Sequence, residues 1–372
     1  MFEKDRAWIE LDREALVHNL NTVRRLLPEG CRLMPCVKAN AFGHGAVQVS
    51  QVLMEEGVRD FCVACLTEAI ELREAGIEGQ ILILGYTDPA DFPALIKYDL
   101  SQTVVDCGYG KLLSSFGQPM HVHIAVDTGM HRIGERAEHV DEIAALWQLP
   151  NLIIDGIYSH LCVSDETSEE SRAFTLKQKA CFDQLVDELH KRGINGFMTH
   201  IQASSGAANY PDFRYDIARI GALIYGNEGT MEDQVPARLG LRRVIRLKAR
   251  ISTVRKLYPG DTVSYGRIFK ADHEMLCASV GIGYADGIPR QLSNSWHVLV
   301  NGVDCPIIGM LCMDSFMIDV AAVPDPRQGD EVVLIGRSGD LEIRACEIAH
   351  KAGVNTNAIV SILSRRLGRV IV

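Results

Sequence analysis

The sequence predicts an α/β protein: an N-terminal (β/α)8, TIM-like barrel over residues 1–238 followed by a mostly β domain over residues 239–372. Three observations carry this. Short apolar runs, each closed by a polar or glycine-marked end and followed by a helix-like stretch, recur eight times in the first part, as repeated βα units require. From about Leu239 the texture changes to period-2 alternation, with Val244, Arg246, Lys248 and Arg250 set against Ile245, Leu247, Ala249 and Ile251, the mark of antiparallel strand. A chain of 372 residues is also long enough for two domains, at roughly 150 residues per domain.

The eight candidate strands lie at Leu33 to Val37, Phe61 to Ala64, Ile81 to Leu84, Gln102 to Val105, Val122 to Val126, Ile153 to Tyr158, Phe197 to Gln202 and Ala222 to Tyr225. Eight parallel strands imply a closed barrel. Leu16, Leu20, Val23 and Leu27 share one helical face, Asp12 can cap it, and Pro28 and Gly30 end it. Thr67 precedes a helical stretch with acids in its first turn, and Gly76 is placed to close it. Pro35 lacks a ladder donor inside a barrel strand, which predicts a bulge or local distortion. In the second domain turns are expected at Pro259-Gly260-Asp261 and Asn301-Gly302, and Arg344 to Lys351 is the one convincing helix, ending near Gly353.

Composition narrows the function. Acids outnumber bases by 48 − 38 = 10 without an acidic tail, which argues against a nucleic-acid partner. Apolar runs such as Ile81 to Leu84 and Val332 to Ile335 are strand-sized, and none approaches the ~18 residues of a membrane span. The start, Met-Phe-Glu-Lys-Asp-Arg, has no apolar signal region. Eleven scattered cysteines suit reduced thiols, and the expected compartment is the cytoplasm.

The most informative segment is Val37-Lys38-Ala39-Asn40-Ala41-Phe42-Gly43-His44-Gly45. It puts a lysine at the C-terminal end of the first barrel strand, where barrel active sites sit. An amine in a water-excluded barrel mouth loses the hydration that favours its ammonium form and becomes a nucleophile able to form a Schiff base. An isolated lysine at a strand end would more simply snorkel into solvent; the flanking residues change that weighting.

This segment closely resembles the pyridoxal-phosphate signature of alanine racemases. Asp127-Thr128-Gly129-Met130-His131-Arg132-Ile133-Gly134, Tyr158-Ser159-His160, Arg219-Ile220-Gly221, Val263-Ser264-Tyr265-Gly266, Gly283-Tyr284-Ala285-Asp286-Gly287 and Cys312-Met313-Asp314 also resemble family motifs, in family order. The resemblance implies a barrel plus β domain, pyridoxal 5′-phosphate held as a Schiff base on Lys38, and a head-to-tail homodimer with active sites built across the interface. It makes Lys38 one catalytic base and Tyr265, arriving from the partner subunit, the other, with His160 and Arg219 hydrogen-bonded behind it. Arg219 would face the pyridine nitrogen; Ser204, or else Ser205, would hold the phosphate with the amides of Gly221 and Ala222. Arg132, Met313, Tyr284 and Asn357 would contact substrate.

Three positions depart from the family pattern. Phe42 replaces a tyrosine and loses a phosphate-directed hydroxyl. Ala125 stands where relatives carry a lysine, often carbamylated, that supports the arginine corresponding to Arg132. Asn357 replaces a tyrosine beside the substrate side chain. A smaller amide opens space and offers a donor and an acceptor to a substrate hydroxyl, pointing to serine. A neutral swap near the C terminus is the alternative reading. The pattern resembles the racemase domain of membrane-tethered serine racemases of vancomycin resistance, which implies an upstream membrane domain and D-amino acid supply to peptidoglycan precursors. A housekeeping alanine racemase is the alternative enzyme, and a non-catalytic pyridoxal-phosphate carrier the alternative of another class.

Other chemistries find less support. His121 and His123 share a strand face as zinc ligands can, but further ligands are missing; the Cys62–Cys65 pair has no second pair, and His273-Glu274 lacks a second histidine. Gly108-Tyr109-Gly110 and Gly281-Ile282-Gly283 each lack the third glycine of a dinucleotide loop.

Overall fold

A computed structural model describes residues 4–372. The chain divides into two compact units, one of Leu20–Ala41 and Val49–Ile224, the other of residues 4–19, Phe42–Gln48 and Tyr225–Val372.

The first unit is the barrel. Parallel strands Asp60–Val63, Gln80–Ile83, Ser101–Val104, Met120–Asp127, Leu152–Tyr158 and Met198–His200 pair in that order. Ile217–Ile220 follows, bonded through Asp216 N to Thr199 O and Arg219 N to Gln202 O, and pairs in turn with Arg32–Pro35. The ring closes at Cys36, which bridges Cys62. Seven of the eight expected strands stand where the sequence places them. The eighth does not: Ala222–Tyr225 is a short helix, and the strand is Ile217–Ile220. Four apolar residues in a row suit a buried turn of helix as well as a strand, and the real strand hides its apolar run behind Arg219. Pro35 keeps register with Ile220 without a bulge. Val37 N, two residues on, donates to Cys62 O at 2.9 Å, so the missing proline donor falls on the side facing Asp60–Val63, where pairing thins to that single bridge.

Asp12 Oδ1 accepts from Ala15 N at 2.9 Å, capping the helix Arg13–Leu26. The helix after the second barrel strand starts at Leu66, one residue before Thr67, with no side-chain cap.

In the second unit, Ile245–Leu257 pairs with Met275–Val280 and also with Glu331–Ser338, closing a six-strand antiparallel ring. Alternating burial along Ile245–Leu257 matches the period-2 reading. Asn301 and Gly302 join His297–Val300 to Val303–Ile308 with φ of 48° and 79°, the paired positive φ of a tight hairpin turn. Ala7–Leu11, from the start of the chain, pairs with Ile245–Leu257 and Gly368–Ile371. The helix Ala345–Ala352 ends at Gly353 in the left-handed region, and Thr356–Ser361 is a further short helix.

Candidate active site

The barrel unit positions Lys38 by an unusual turn. Directly after Lys38, Ala39, Asn40, Ala41 and Phe42 all have positive φ between 52° and 54°. Left-handed helical backbone costs about 1–2 kcal/mol per L-residue, so something must hold it. Ala41 N donates to Val37 O at 2.7 Å. Glu68, in the first turn of its helix, accepts from Ala39 N at 2.6 Å and from Ala64 N at 2.8 Å. One carboxylate thus ties the turn to the end of the neighbouring strand.

Arg219 points along the barrel interior, 5 % exposed and stacked 4.7 Å over the Tyr158 ring. Nη2 donates to Ser159 O (2.7 Å) and to His160 Nδ1 (3.3 Å); Nη1 donates to His200 Nδ1 (2.5 Å) and His200 O (3.2 Å). Burial lowers the Arg219 pKa, yet a guanidinium stays charged. Burial and the Arg219 charge push His160 down to about 3 and hold His200 far below the usual histidine range. Both imidazoles are neutral, with Nδ1 accepting and Nε2 carrying the proton.

Ser204 Oγ accepts from Gly221 N at 3.1 Å and Leu223 N at 3.4 Å, so a hydroxyl and a run of amides at Gly221, Ala222 and Leu223 converge at the start of the short helix. This set suits a phosphate. On the turn after Met120–Asp127, the Asp127 carboxylate accepts from Gly129 N, His131 N and His131 Nδ1 at 2.9, 2.9 and 2.7 Å. That turn presents exposed Arg132. Ala125 is buried and pairs with Tyr158.

The second unit carries its candidates on exposed turns. Tyr265 is 70 % exposed, between Ser264 and Gly266 with φ of 61° and 71°. Ser264 Oγ donates to Met310 O at 2.6 Å, fixing the turn from behind. Tyr284 and Met313 are also exposed. Their loops lie back to back: Tyr284 N donates to Cys312 O and Ala285 N to Met313 O. A Cβ on Gly283 would stand 2.4 Å from Cys312 O, so only glycine allows this approach. Buried Asp286 accepts from Gly283 N, both terminal nitrogens of Arg6 and Arg366 Nε. Asn357 is exposed on its helix, whose start is capped by Asn355. Phe42 stacks near Tyr225, with centroids 5.4 Å apart.

Two family models cover nearly the whole chain, the alanine racemase N-terminal domain over residues 11–229 and the alanine racemase C-terminal domain over 244–371. The chain belongs to the alanine racemase family. It is an amino-acid racemase, and the cofactor of the family is pyridoxal phosphate. "Alanine racemase 1" of Clostridium acetobutylicum is 37% identical over 369 residues, covering 98% of this chain and 94% of that protein. The "serine/alanine racemase" of Enterococcus gallinarum is 39% identical over 320 residues, 86% of this chain; the match spans 46% of that longer protein. The solved alanine racemase of Clostridium difficile 630 superposes with a TM-score of 0.92 at 34% identity, covering 99% of this chain and 96% of that one. A racemase with both domains sets aside the carrier reading. Among the described residues no helix is long and apolar enough to cross a membrane.

Of the residues expected from sequence, Lys38, Arg132, His160, Ser204, Arg219, Gly221 and Ala222 fall in the barrel unit, and Phe42, Tyr265, Tyr284, Met313 and Asn357 in the other. Sequence reasoning missed Glu68 and His200. A histidine inside the predicted strand Phe197 to Gln202 was the available signal for His200. Glu68 gave none, because its role is a contact with backbone 29 residues away.

Proposed function

We propose that this racemase interconverts L- and D-serine as well as L- and D-alanine by a two-base mechanism, in a cytoplasmic homodimer whose sites each receive Tyr265 of the partner subunit. The observation that supports this most is the division of chemistry. Lys38 and a buried cationic network lie in one unit, while a 70 % exposed Tyr265 is held out on a braced turn of the other. Large exposed apolar side chains near such a turn favour a covering partner.

The donor set fits pyridoxal phosphate: an amine at Lys38, the Ser204 and amide cradle for phosphate, and at Arg219 a cation with no acceptor. Bound there, the cofactor supplies the conjugated ring that takes up the electron pair released when the substrate Cα–H bond breaks. Racemisation removes the Cα proton from one face and returns one to the other. Lys38 Nζ would hold the cofactor and, once displaced, exchange the proton on the first face; Tyr265 of the partner subunit would serve the second. Arg219, unable to accept a proton, would keep the ring nitrogen unprotonated and limit electron withdrawal, which suppresses side reactions. His160 accepts from Arg219 at Nδ1. Its Nε2–H is left to donate to a phenolate oxygen and favour that anion. Phe42 packs without offering the phosphate a hydroxyl. Arg132 and the Met313 backbone would take the substrate carboxylate, with Tyr284 and Asn357 toward its side chain.

Serine rests on Asn357, whose amide can pair with a hydroxyl, and on similarity to a relative named serine/alanine racemase. The products would feed peptidoglycan precursors, in the setting of vancomycin resistance. Chiral chromatography of the protein with pyridoxal phosphate and L-serine or L-alanine at matched concentrations tests this. D-Serine formed at or above the rate of D-alanine supports it; D-alanine alone reduces it to a housekeeping alanine racemase, and neither product overturns it.

A further inference from the structure

A polar chain crosses the barrel interior behind Arg219. His200 Nε2 lies 2.9 Å from His123 Nδ1, and His123 Nε2 lies 3.1 Å from the side-chain amide nitrogen of Gln80, which is 3.2 Å from Ser101 Oγ. Arg219, His200 and His123 are each at most 5 % exposed. Gln80 and Ser101 begin their strands, so the chain runs from the C-terminal end of the barrel, where Lys38 sits, to the N-terminal end.

Its polarity follows from one constraint. A guanidinium only donates, so His200 Nδ1 must accept and its Nε2 must carry the proton. His123 Nδ1 must then accept, and its Nε2–H must donate to Gln80. That requires the Gln80 amide to turn its oxygen to His123; as placed, Oε1 is buried without a partner. Every donor therefore points away from Arg219. The opposite sense would set a His200 N–H against the Arg219 N–H 2.5 Å away.

The barrel is also shaped to hold His123. A Cβ on Gly156 would stand 2.5 Å from His123 Nδ1, and the register between Met120–Asp127 and Leu152–Tyr158 shifts between Val122 and His123. Apolar side chains would fill this layer without the desolvation that buried imidazoles incur.

We infer that His123, held by Gln80, is a positioning residue for the racemisation: through His200 it fixes the direction of the hydrogen bonds that hold the Arg219 guanidinium. It acts on no substrate atom itself. The inference rests on the reading of Arg219 as the group facing the cofactor ring.

The test uses holoenzyme labelled with 15N-histidine. NMR should show both His123 and His200 protonated at Nε2 only. His123→Phe removes the acceptor for His200 and should lower kcat about ten- to hundredfold, as loosened positioning does, with KM little changed. It should also raise the share of turnovers lost to transamination. His123→Gln, which can accept and donate along the same line, should restore most of kcat. Should His123→Phe fail to fold, Gly156→Ala displaces the ring instead and should lower kcat in the same direction. A Nδ1-protonated His123, or a folded His123→Phe variant with unchanged kcat and transamination, overturns the inference while leaving racemisation intact. A wild-type protein that racemises nothing fails the underlying reading instead.

Discussion

The barrel unit and the β unit hold their functional residues in opposite ways. Around Arg219 the side chains are largely buried, both terminal nitrogens of the guanidinium have directed partners, and burial with the Arg219 charge keeps the histidines neutral. Tyr265, Tyr284 and Met313 instead stand exposed, and what is fixed there is the backbone, by Ser264 on Met310 and by the Tyr284 and Met313 loops. The lesson is that the first set is preorganised by the chain alone, while the second presents exposed side chains whose surroundings the proposed partner subunit would complete.

The sharpest way to break this comparison is Tyr265→Phe. With the proposed second proton exchanger gone, racemisation should fall by about 10²–10⁴-fold, measured by chiral chromatography, while the visible absorption of bound cofactor stays as in wild type. Near-normal turnover would mean that the exposed tyrosine is not a base and that the two units do not share the chemistry.

The buried half predicts a pH dependence of its own. His123 and His160 are pushed down to about 3, and His200 well below its ordinary value, chiefly by burial and then by the Arg219 charge. In the unfolded chain these histidines take protons below about pH 6.5, which the folded state refuses. Their contribution to stability is therefore complete above pH 6.5 and is lost progressively as pH falls below it. At pH 5.5 the loss is on the order of 1 kcal/mol per histidine, so urea midpoints should drop between pH 7 and 5.5. His123→Gln should flatten that slope by about one third.

Glu68→Ala should cost less, about 1–3 kcal/mol, because it leaves the Ala39 and Ala64 amides without their acceptor. The readout is a lower Tm with weaker cofactor retention, since the left-handed turn beside Lys38 loses its tie. A Tm unchanged within error would show that Val37 and Ala41 hold the turn unaided.

How much of this the sequence carried depends on range. Local signals were legible: the Asp12 cap, the Asn301-Gly302 hairpin, the Gly353 helix end and the lysine at the end of the first barrel strand all appear as expected. Non-local ones were not. Nothing in Ala7–Leu11 says that it pairs with strands more than 200 residues away. Ala39, Ala41 and Phe42 have no intrinsic preference for positive φ, and the glutamate that ties the turn through the Ala39 amide stands 29 residues away. The Ala222–Tyr225 error is one of period, since four apolar residues cannot separate a strand from a helical turn. His123 stood out only as sharing a strand face with His121, and its partner His200 lies on another strand.

The smallest and most discriminating prediction concerns Asn357. It belongs to the exposed set, so changing it should leave fold and cofactor binding alone and act only on substrate choice. Asn357→Tyr replaces an amide able to donate and accept with a larger ring, narrowing the space for a hydroxymethyl group. The serine-to-alanine ratio of kcat/KM should fall about tenfold, the scale expected when one polar contact and one methylene's room are lost together. If the ratio holds and both rates fall equally, Asn357 shapes the turn rather than the pocket, and specificity must be sought on the buried side of the comparison. If it falls while Tm and cofactor absorption stay fixed, the division stands: the barrel sets the reaction and the exposed turns set the substrate.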